Sequence, residues 1–110
     1  EPGVAAEIVD LRTLVPLDVE TLVGSIGRTG RCLIVHEAWT RMGYGAEIAA
    51  RISEEAFELL DAPVARLGAV NRPLPFSPVY LDVAIPTAAA IEVGSRARHR
   101  RLPRGEVEDL

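Results

Sequence analysis

The chain has 110 residues, of which 48% are hydrophobic and 25% charged, and its formal net charge is −4. This length fits one domain, and the share of apolar residues is ample for a packed core, which argues against a disordered chain. The acidic balance argues against nucleic-acid binding, because phosphate contacts need a basic surface. No apolar run reaches the roughly 18 residues of a membrane span, and the first residues do not resemble a secretory leader. We therefore expect a soluble, cytoplasmic protein without nucleic-acid or membrane partners.

Charge is distributed unevenly along the chain. Residues 96–110 contain five arginines and three acids, so this tail carries +2 and the first 95 residues carry −6. We expect a folded domain over residues 1–95 and an arginine-rich tail that begins as a helix and then becomes disordered. All 12 basic residues are arginine, which is typical of a bacterial genome rich in G and C. The single cysteine, Cys32, lies in an apolar run, so we expect a buried thiol without a redox role.

The first predicted elements are a short strand and an amphipathic helix. Residues 7–11 are apolar and β-branched and end at a polar turn, which favours a strand. Pro16 then excludes a helix through the turn. Asp18 is placed to cap a helix that ends at Gly30. The apolar residues of this helix recur at i, i+3, i+4 and i+7 and are Val19, Leu22, Val23 and Ile26.

Two further strands are predicted on either side of a second helix. Residues 31–35 form a continuously apolar run, which indicates a strand buried on both faces, and residues 64–67 are the third strand. The helix follows a loop over residues 38–43 and should end near Asp61, because Pro63 disfavours a helical residue before it. Glu47 and Arg51 are predicted to form an i,i+4 ion pair on its exposed side. The apolar stripe of the helix consists of Ile48, Ala49, Ile52, Ala56, Leu59 and Leu60.

Alternation of strands and helices predicts an α/β fold, with three α/β/α layers around a mostly parallel, Rossmann-like sheet. After Ala69 the pattern changes, because four prolines interrupt an apolar stretch and exclude a central strand or a long helix there. We expect this stretch to be an ordered, extended segment. A final helix is predicted to begin near Thr87.

Five sequence blocks, in order and over about three quarters of the chain, carry a resemblance to a known family. They are DLRTLVPLD at residues 10–18, GR followed by VHEA at 30–38, GYGAEIAA at 43–50, EAF followed by LDAPV at 55–64, and RPLPFSP at 72–78. Together they resemble the carboxyl-terminal, transketolase-type domain of the beta subunit of thiamine-diphosphate-dependent 2-oxoacid dehydrogenases, which act on pyruvate, branched-chain 2-oxoacids or acetoin. Family members usually begin with another strand and helix, so we expect a domain that lacks them.

The resemblance implies an assembly domain and not a catalytic one. In the family, thiamine diphosphate lies between other domains of the beta and alpha subunits, so we expect this chain alone to be inactive and to bind no cofactor or metal. The implied partners are the remainder of the beta subunit, the alpha subunit and the acyltransferase component, within an oligomeric parent enzyme that uses thiamine diphosphate and magnesium. The sequence does not indicate which 2-oxoacid is used.

Two groups of polar residues invite a structural interpretation. Arg12 lies between Asp10 and Asp18, which favours an ion pair or a carbonyl clamp that fixes the turn, since a guanidinium suits such fixed geometry. His36 beside Glu37 could serve acid-base chemistry, but no nucleophile or set of metal ligands accompanies the pair. We therefore predict that the two residues lie at the end of a strand and are hydrogen-bonded to the loop that follows.

Loops that follow parallel strands gather at the carboxyl edge of a sheet, so we expect the loop containing Trp39 to meet the proline-rich passage. An apolar centre with a polar rim is typical of protein interfaces. The predicted interface residues are Trp39, Arg41, Arg72, Leu74 and Phe76.

Two alternatives stay open. One is the same domain of transketolase or of 1-deoxyxylulose-5-phosphate synthase, although the blocks at residues 36–38 and 76–78 favour the dehydrogenase. The other is a free-standing small α/β binding protein with an anion site near Gly43 and Gly45, because free N–H groups at a helix start can hold an anion. Such glycines more often permit a tight turn and close packing.

Overall fold

The structure is a computed structural model that describes residues 5–99, with the backbone alone for residues 96–99. The described residues form four α-helices, two strands and one 3₁₀ turn. In chain order the helices and strands are α1 (Val19–Thr29), β1 (Leu33–Trp39), α2 (Tyr44–Ala56), β2 (Ala65–Ala69), α3 (Pro78–Ala84) and α4 (Ala88–His99), and the 3₁₀ turn Phe57–Leu59 follows α2.

Helix α1 begins and ends where the sequence predicts. The Asp18 carboxylate accepts a hydrogen bond from the backbone N–H of Thr21 at 3.1 Å and another from its hydroxyl at 2.6 Å. The hydroxyl bond is the main reason why the pKa of Asp18 is lowered. At the other end Gly30 takes a left-handed conformation with φ of 72°, and its N–H donates to the carbonyl of Ile26. This conformation suits glycine, which has no Cβ to clash, so the predicted helix stop is confirmed.

The sheet and its two helical layers confirm the α/β class. Strands β1 and β2 are parallel, with Leu33 opposite Ala65 and Val35 opposite Leu67. Successive strand residues point to opposite faces. Ile34 accordingly packs against the core between α1 and α2, whereas Leu33 and Leu67 lie beside Gly94 of α4. Helices therefore cover both faces of the sheet.

The core lies between α1 and α2. Leu22 and Ile26 of α1 meet Ile48, Ile52 and Ala56 of α2, and all five are buried. The predicted apolar stripes of both helices are thus confirmed at their centres. Ile52, with 1% of its surface exposed, is the most deeply enclosed large side chain among the described residues.

The predicted first strand is wrong. Residues 7–11 form no strand, although Val9 and Leu11 pack against the core through their side chains. A strand requires backbone hydrogen bonds to a neighbour, and apolar, β-branched residues alone do not supply them. The segment is instead held by side chains: Arg28 forms an ion pair with Glu7, and the Tyr44 hydroxyl donates to the Leu14 carbonyl at 2.8 Å.

Strand β1 and helix α2 differ in detail from the predictions. The strand begins at Leu33 and continues to Trp39, and it is only partly buried because it has one neighbouring strand among the described residues. Helix α2 ends at Ala56, before the predicted stop near Asp61, since the 3₁₀ turn lets the Asp61 N–H reach the carbonyl of Gly30 at 2.7 Å.

One predicted ion pair has a different partner. Arg51 of α2 pairs with Glu55 at 3.0 Å and not with Glu47, and both candidates lie four residues away, one on each side. The spacing rule that predicted Glu47 is satisfied equally by Glu55. Spacing alone therefore could not choose between them.

The proline-rich passage contains a helix that was not predicted. Helix α3 begins at Pro78. A proline is tolerated at the first helical position, because the N–H group that it lacks would have no partner within the helix in any case. Its carboxyl end returns to the sheet, where the N–H of Val70 donates to the carbonyl of Ala84 at 2.9 Å. Helix α4 confirms the predicted final helix, and the rest of the arginine-rich tail, residues 100–110, lies outside the described residues.

Candidate interaction surface

Two loops meet at the carboxyl edge of the sheet. The indole N–H of Trp39, the last residue of β1, donates to the carbonyl of Arg72 at 2.9 Å. The backbone N–H of Thr40 donates to the carbonyl of Ala69, the last residue of β2, at 3.1 Å. The Arg66 guanidinium also donates to the Thr40 carbonyl. These bonds place Trp39 against the proline-rich passage.

An open apolar cleft of about 310 Å³ lies between these loops. Trp39 is 44% exposed, and Met42 is 90% exposed. Met42 has a left-handed backbone with φ of 63°, which is unusual for a side chain of this type. The cleft is lined by Glu37, Ala38, Trp39, Met42, Gly43 and Leu74.

The structure brings only some of the predicted interface residues together. Trp39 and Leu74 line the cleft, and Arg72 supplies the carbonyl that holds the indole. Phe76 is fully exposed and Arg41 is exposed, but neither lines the cleft. Sequence reasoning missed Met42, whose contribution depends on a turn that pattern and propensity do not reveal.

The predicted clamp at Arg12 is weaker than expected. Arg12 Nε lies 3.5 Å from a carboxylate oxygen of Asp10, yet the two side chains are 85% and 75% exposed. Asp18 caps α1 instead of pairing with Arg12. A solvent-exposed pair of this kind contributes about 0–1 kcal/mol. The ion pair with Asp10 is thus present but exposed, and its role in fixing the turn stays a prediction.

His36 does not make the predicted hydrogen bonds to the loop after the strand. Consecutive residues of a strand point to opposite faces, so the imidazole turns inward while Glu37 is exposed. Both ring nitrogens are buried and have no hydrogen-bond partner among the described residues. The ring lies between Gly45 and Gly68, where a Cβ at either position would come within 3.0 Å of it. His36 thus acts as a packing element between α2 and β2.

The glycines at the start of α2 are explained by close packing. A Cβ at Gly43 would collide with the carbonyl oxygen of Trp39, and a Cβ at Gly45 would collide with the His36 ring. Among the residues that line the cleft only Glu37 is charged, and a carboxylate repels anions. The structure gives no support to an anion site here.

Two further features of the described residues concern metals and thiols. These residues contain no group of three or more His, Cys, Asp or Glu side chains that could hold a metal ion. Burial raises the pKa of the Cys32 thiol, which disfavours its thiolate form. None of the helices described is long and apolar enough to cross a membrane.

Fold and surface together define an α/β domain that presents an apolar cleft at the carboxyl edge of its sheet. Residues 1–91 match the family model described as "Transketolase, C-terminal domain". The chain belongs to this family.

Several similar proteins are beta subunits of 2-oxoacid and acetoin dehydrogenases. The chain is 43% identical over 94 residues to the acetoin:2,6-dichlorophenolindophenol oxidoreductase subunit beta of Cupriavidus necator, which covers 86% of the chain and 28% of that protein. It is 52% identical over 69 residues to the 3-methyl-2-oxobutanoate dehydrogenase subunit beta of Mycobacterium tuberculosis, and the match covers 63% of the chain and 20% of that protein. It is 43% identical over 75 residues to the mitochondrial pyruvate dehydrogenase E1 component subunit beta of Dictyostelium discoideum, and the match covers 68% of the chain and 21% of that protein. The chain thus spans between a fifth and a third of these relatives.

Proposed function

We propose that this chain is the assembly and subunit-interaction domain of the beta subunit of a 2-oxoacid dehydrogenase. It supports the oxidative decarboxylation of a 2-oxoacid such as pyruvate or a branched-chain 2-oxoacid. The observation that carries this proposal is the exposed apolar cleft at the carboxyl edge of a transketolase-type domain. Its partners in this proposal are the remainder of the beta subunit, the alpha subunit and the acyltransferase component.

The chemistry of the cleft favours a protein contact over catalysis. Its walls are the indole of Trp39 and the side chains of Met42 and Leu74, and large exposed side chains of this kind gain most when a partner removes them from water. Glu37 supplies the charge at its rim, where solvated polar groups commonly surround an apolar centre. In this proposal thiamine diphosphate and magnesium are bound by other parts of the parent enzyme.

The beta-subunit relatives favour the dehydrogenase over the two alternatives from sequence. Each of the three relatives described above bears the name of a beta subunit of a dehydrogenase or an oxidoreductase. A free-standing binding protein would need a ligand site at the start of α2, and Gly43 and Gly45 are occupied by packing contacts there.

Substitution of Met42 tests the proposal, because this side chain is exposed and makes little contact within the domain. Met42→Ala should weaken capture of the alpha subunit and the acyltransferase component by the beta subunit that contains this domain. The matched control is Ile8→Ala, since Ile8 and Met42 are both 90% exposed and Ile8 lies in the segment before α1. A true anchor residue costs about 2 kcal/mol or more on truncation, or roughly a thirtyfold loss of affinity.

The readout is a titrated pull-down, paired with circular dichroism of each variant. Equal capture by folded Met42→Ala and Ile8→Ala proteins would count against the cleft as an assembly surface. Trp39 is a less direct target, because its replacement also removes the hydrogen bond that holds Arg72. Trp39→Phe, which keeps an aromatic ring without the N–H, separates these two effects.

A further inference from the structure

Two arginines beside the cleft have no charged partner among residues 5–95. Arg41 lies between Trp39 and Met42 along the chain, and the carbonyl of Arg72 accepts the indole hydrogen bond of Trp39. Both arginines are exposed, and neither guanidinium forms an ion pair or a hydrogen bond within the described residues. Four other arginine side chains do contact an acceptor there, and these are Arg12, Arg28, Arg51 and Arg66. The unpartnered guanidiniums thus belong to the two loops that form the cleft.

The charges next to the cleft differ in sign from those of the whole domain. Glu37 is the one charged residue in the cleft lining, and its carboxylate has no ion pair within residues 5–95. Two guanidiniums against one carboxylate leave a local charge of +1, whereas the first 95 residues together carry −6. At an ionic strength of about 0.15 M the screening length is about 8 Å, so groups beside the cleft dominate the field there.

This combination of apolar walls and flanking cations selects a matching partner. The walls formed by Trp39, Met42 and Leu74 gain most when an apolar side chain covers them. A free guanidinium pairs best with a carboxylate, with which it can form two parallel hydrogen bonds. A basic partner would instead bring like charges beside Arg41 and Arg72, which disfavours its docking. The chemistry that fits is therefore an apolar side chain between acidic residues.

We propose that the cleft receives an acidic segment of another subunit, with one apolar side chain in the cleft and flanking carboxylates paired with Arg41 and Arg72. The inference rests on the assembly role proposed above and names the chemistry of the partner. The docking segment carries Asp or Glu side chains on either side of an exposed Leu, Ile, Val, Met or Phe. Glu37 opposes such a segment only weakly, because the two arginines outnumber it.

The flanking charges and the apolar centre have separable effects on binding kinetics. Charges at the rim of an interface act mainly on the association rate and on its salt dependence. Apolar anchors act mainly on the dissociation rate, since most affinity differences between variants of one interface arise there. Neutralising Arg41 and Arg72 should therefore slow association, and truncating Met42 should speed dissociation.

Surface plasmon resonance of the immobilised beta subunit tests the proposal, with the alpha subunit and the acyltransferase component as separate analytes. Arg41→Ala with Arg72→Ala should slow association of the docking subunit roughly tenfold at low salt. The difference should largely vanish at about 1 M NaCl, where the screening length is about 3 Å. Glu37→Gln should speed association, because it removes the one like charge. Each variant is checked by circular dichroism.

The matched control removes two cations elsewhere. Arg28→Ala with Arg51→Ala changes the net charge by the same amount, but both side chains pair with carboxylates outside the cleft, Glu7 and Glu55. This control should leave the association rate within about twofold of the wild type, since steering by distant charges is screened.

The signs of the rate changes decide the outcome. Equal association rates for the Arg41 and Arg72 double variant and its control, with both analytes, would overturn the proposal. Faster association of that double variant, or slower association of Glu37→Gln, would indicate a basic partner and would overturn it as well. Unchanged kinetics of Met42→Ala would count against the assembly role itself. Faster dissociation from Met42→Ala without any effect of the arginines would reject the acidic partner alone.

Discussion

Replacing Gly45 with alanine tests whether His36 is wedged between α2 and β2. The added Cβ would come within 3.0 Å of the imidazole. The ring cannot move away from it, because Gly68 packs closely on the other side: a Cβ built at Gly68 would lie only 2.7 Å from the Cε1 atom of His36. Overpacking of this kind costs about 1–3 kcal/mol, and alanine returns up to about 1 kcal/mol over glycine in a helix. We expect Gly45→Ala to lower the free energy of unfolding by about 1–2 kcal/mol, or roughly 4–10 °C in Tm.

Urea unfolding of four variants provides the assay. Gly24→Ala is the control, because its Cβ would meet only the flexible end of Arg28 at 3.6 Å, and it should leave stability unchanged or raise it by up to about 1 kcal/mol. In a His36→Ala background, Gly45→Ala should cost less than in the wild type, since the colliding ring is gone. An equal cost in both backgrounds would refute the wedged imidazole.

Two further predictions concern the polar contacts around the segment before α1. Arg12→Met should change the free energy of unfolding by no more than about 1 kcal/mol, because its pair with Asp10 is exposed; a loss of several kcal/mol in urea unfolding would show a buried role. The hydrogen bond from Arg28 lowers the pKa of Glu7, so the stability from this pair is present above the unfolded pKa of about 4.3 and is lost as pH falls through the lower folded value. Glu7→Gln should therefore flatten the loss of stability between about pH 5 and pH 3, and an unchanged pH profile would contradict this.

The elements that local signals define were predicted well from the sequence. Asp18 and Gly30 bound α1 because capping and the left-handed stop depend on residues within one turn. The core positions Ile48 and Ile52 follow from helical periodicity. The parallel pairing of β1 with β2 follows from the strand–helix–strand order.

Features that depend on distant neighbours could not be predicted in this way. Residues 7–11 have the composition of a strand, but a strand exists only where another backbone pairs with it. The orientation of His36 is set by packing against Gly45 and Gly68, which are 9 and 32 residues away along the chain. Helix α3 lies in a stretch whose prolines argued against helix, because one of them occupies the first helical position, where it is tolerated.

The candidate surface was predicted in its location but not in its full composition. Parallel topology placed Trp39 near the proline-rich passage, and the hydrogen bond from its indole to Arg72 establishes that contact. Met42 was missed because its exposure follows from a left-handed turn. Phe76 is fully exposed but does not line the cleft, so its role as a contact residue stays a prediction.

Hydrogen exchange of the beta subunit, free and in the assembled complex, tests the assembly role most directly. We expect slower amide exchange on assembly for residues 39–43 and 72–76, which border the cleft, and unchanged exchange for the first turns of α1. Unchanged exchange at both cleft segments in a complex shown to be fully assembled would contradict it.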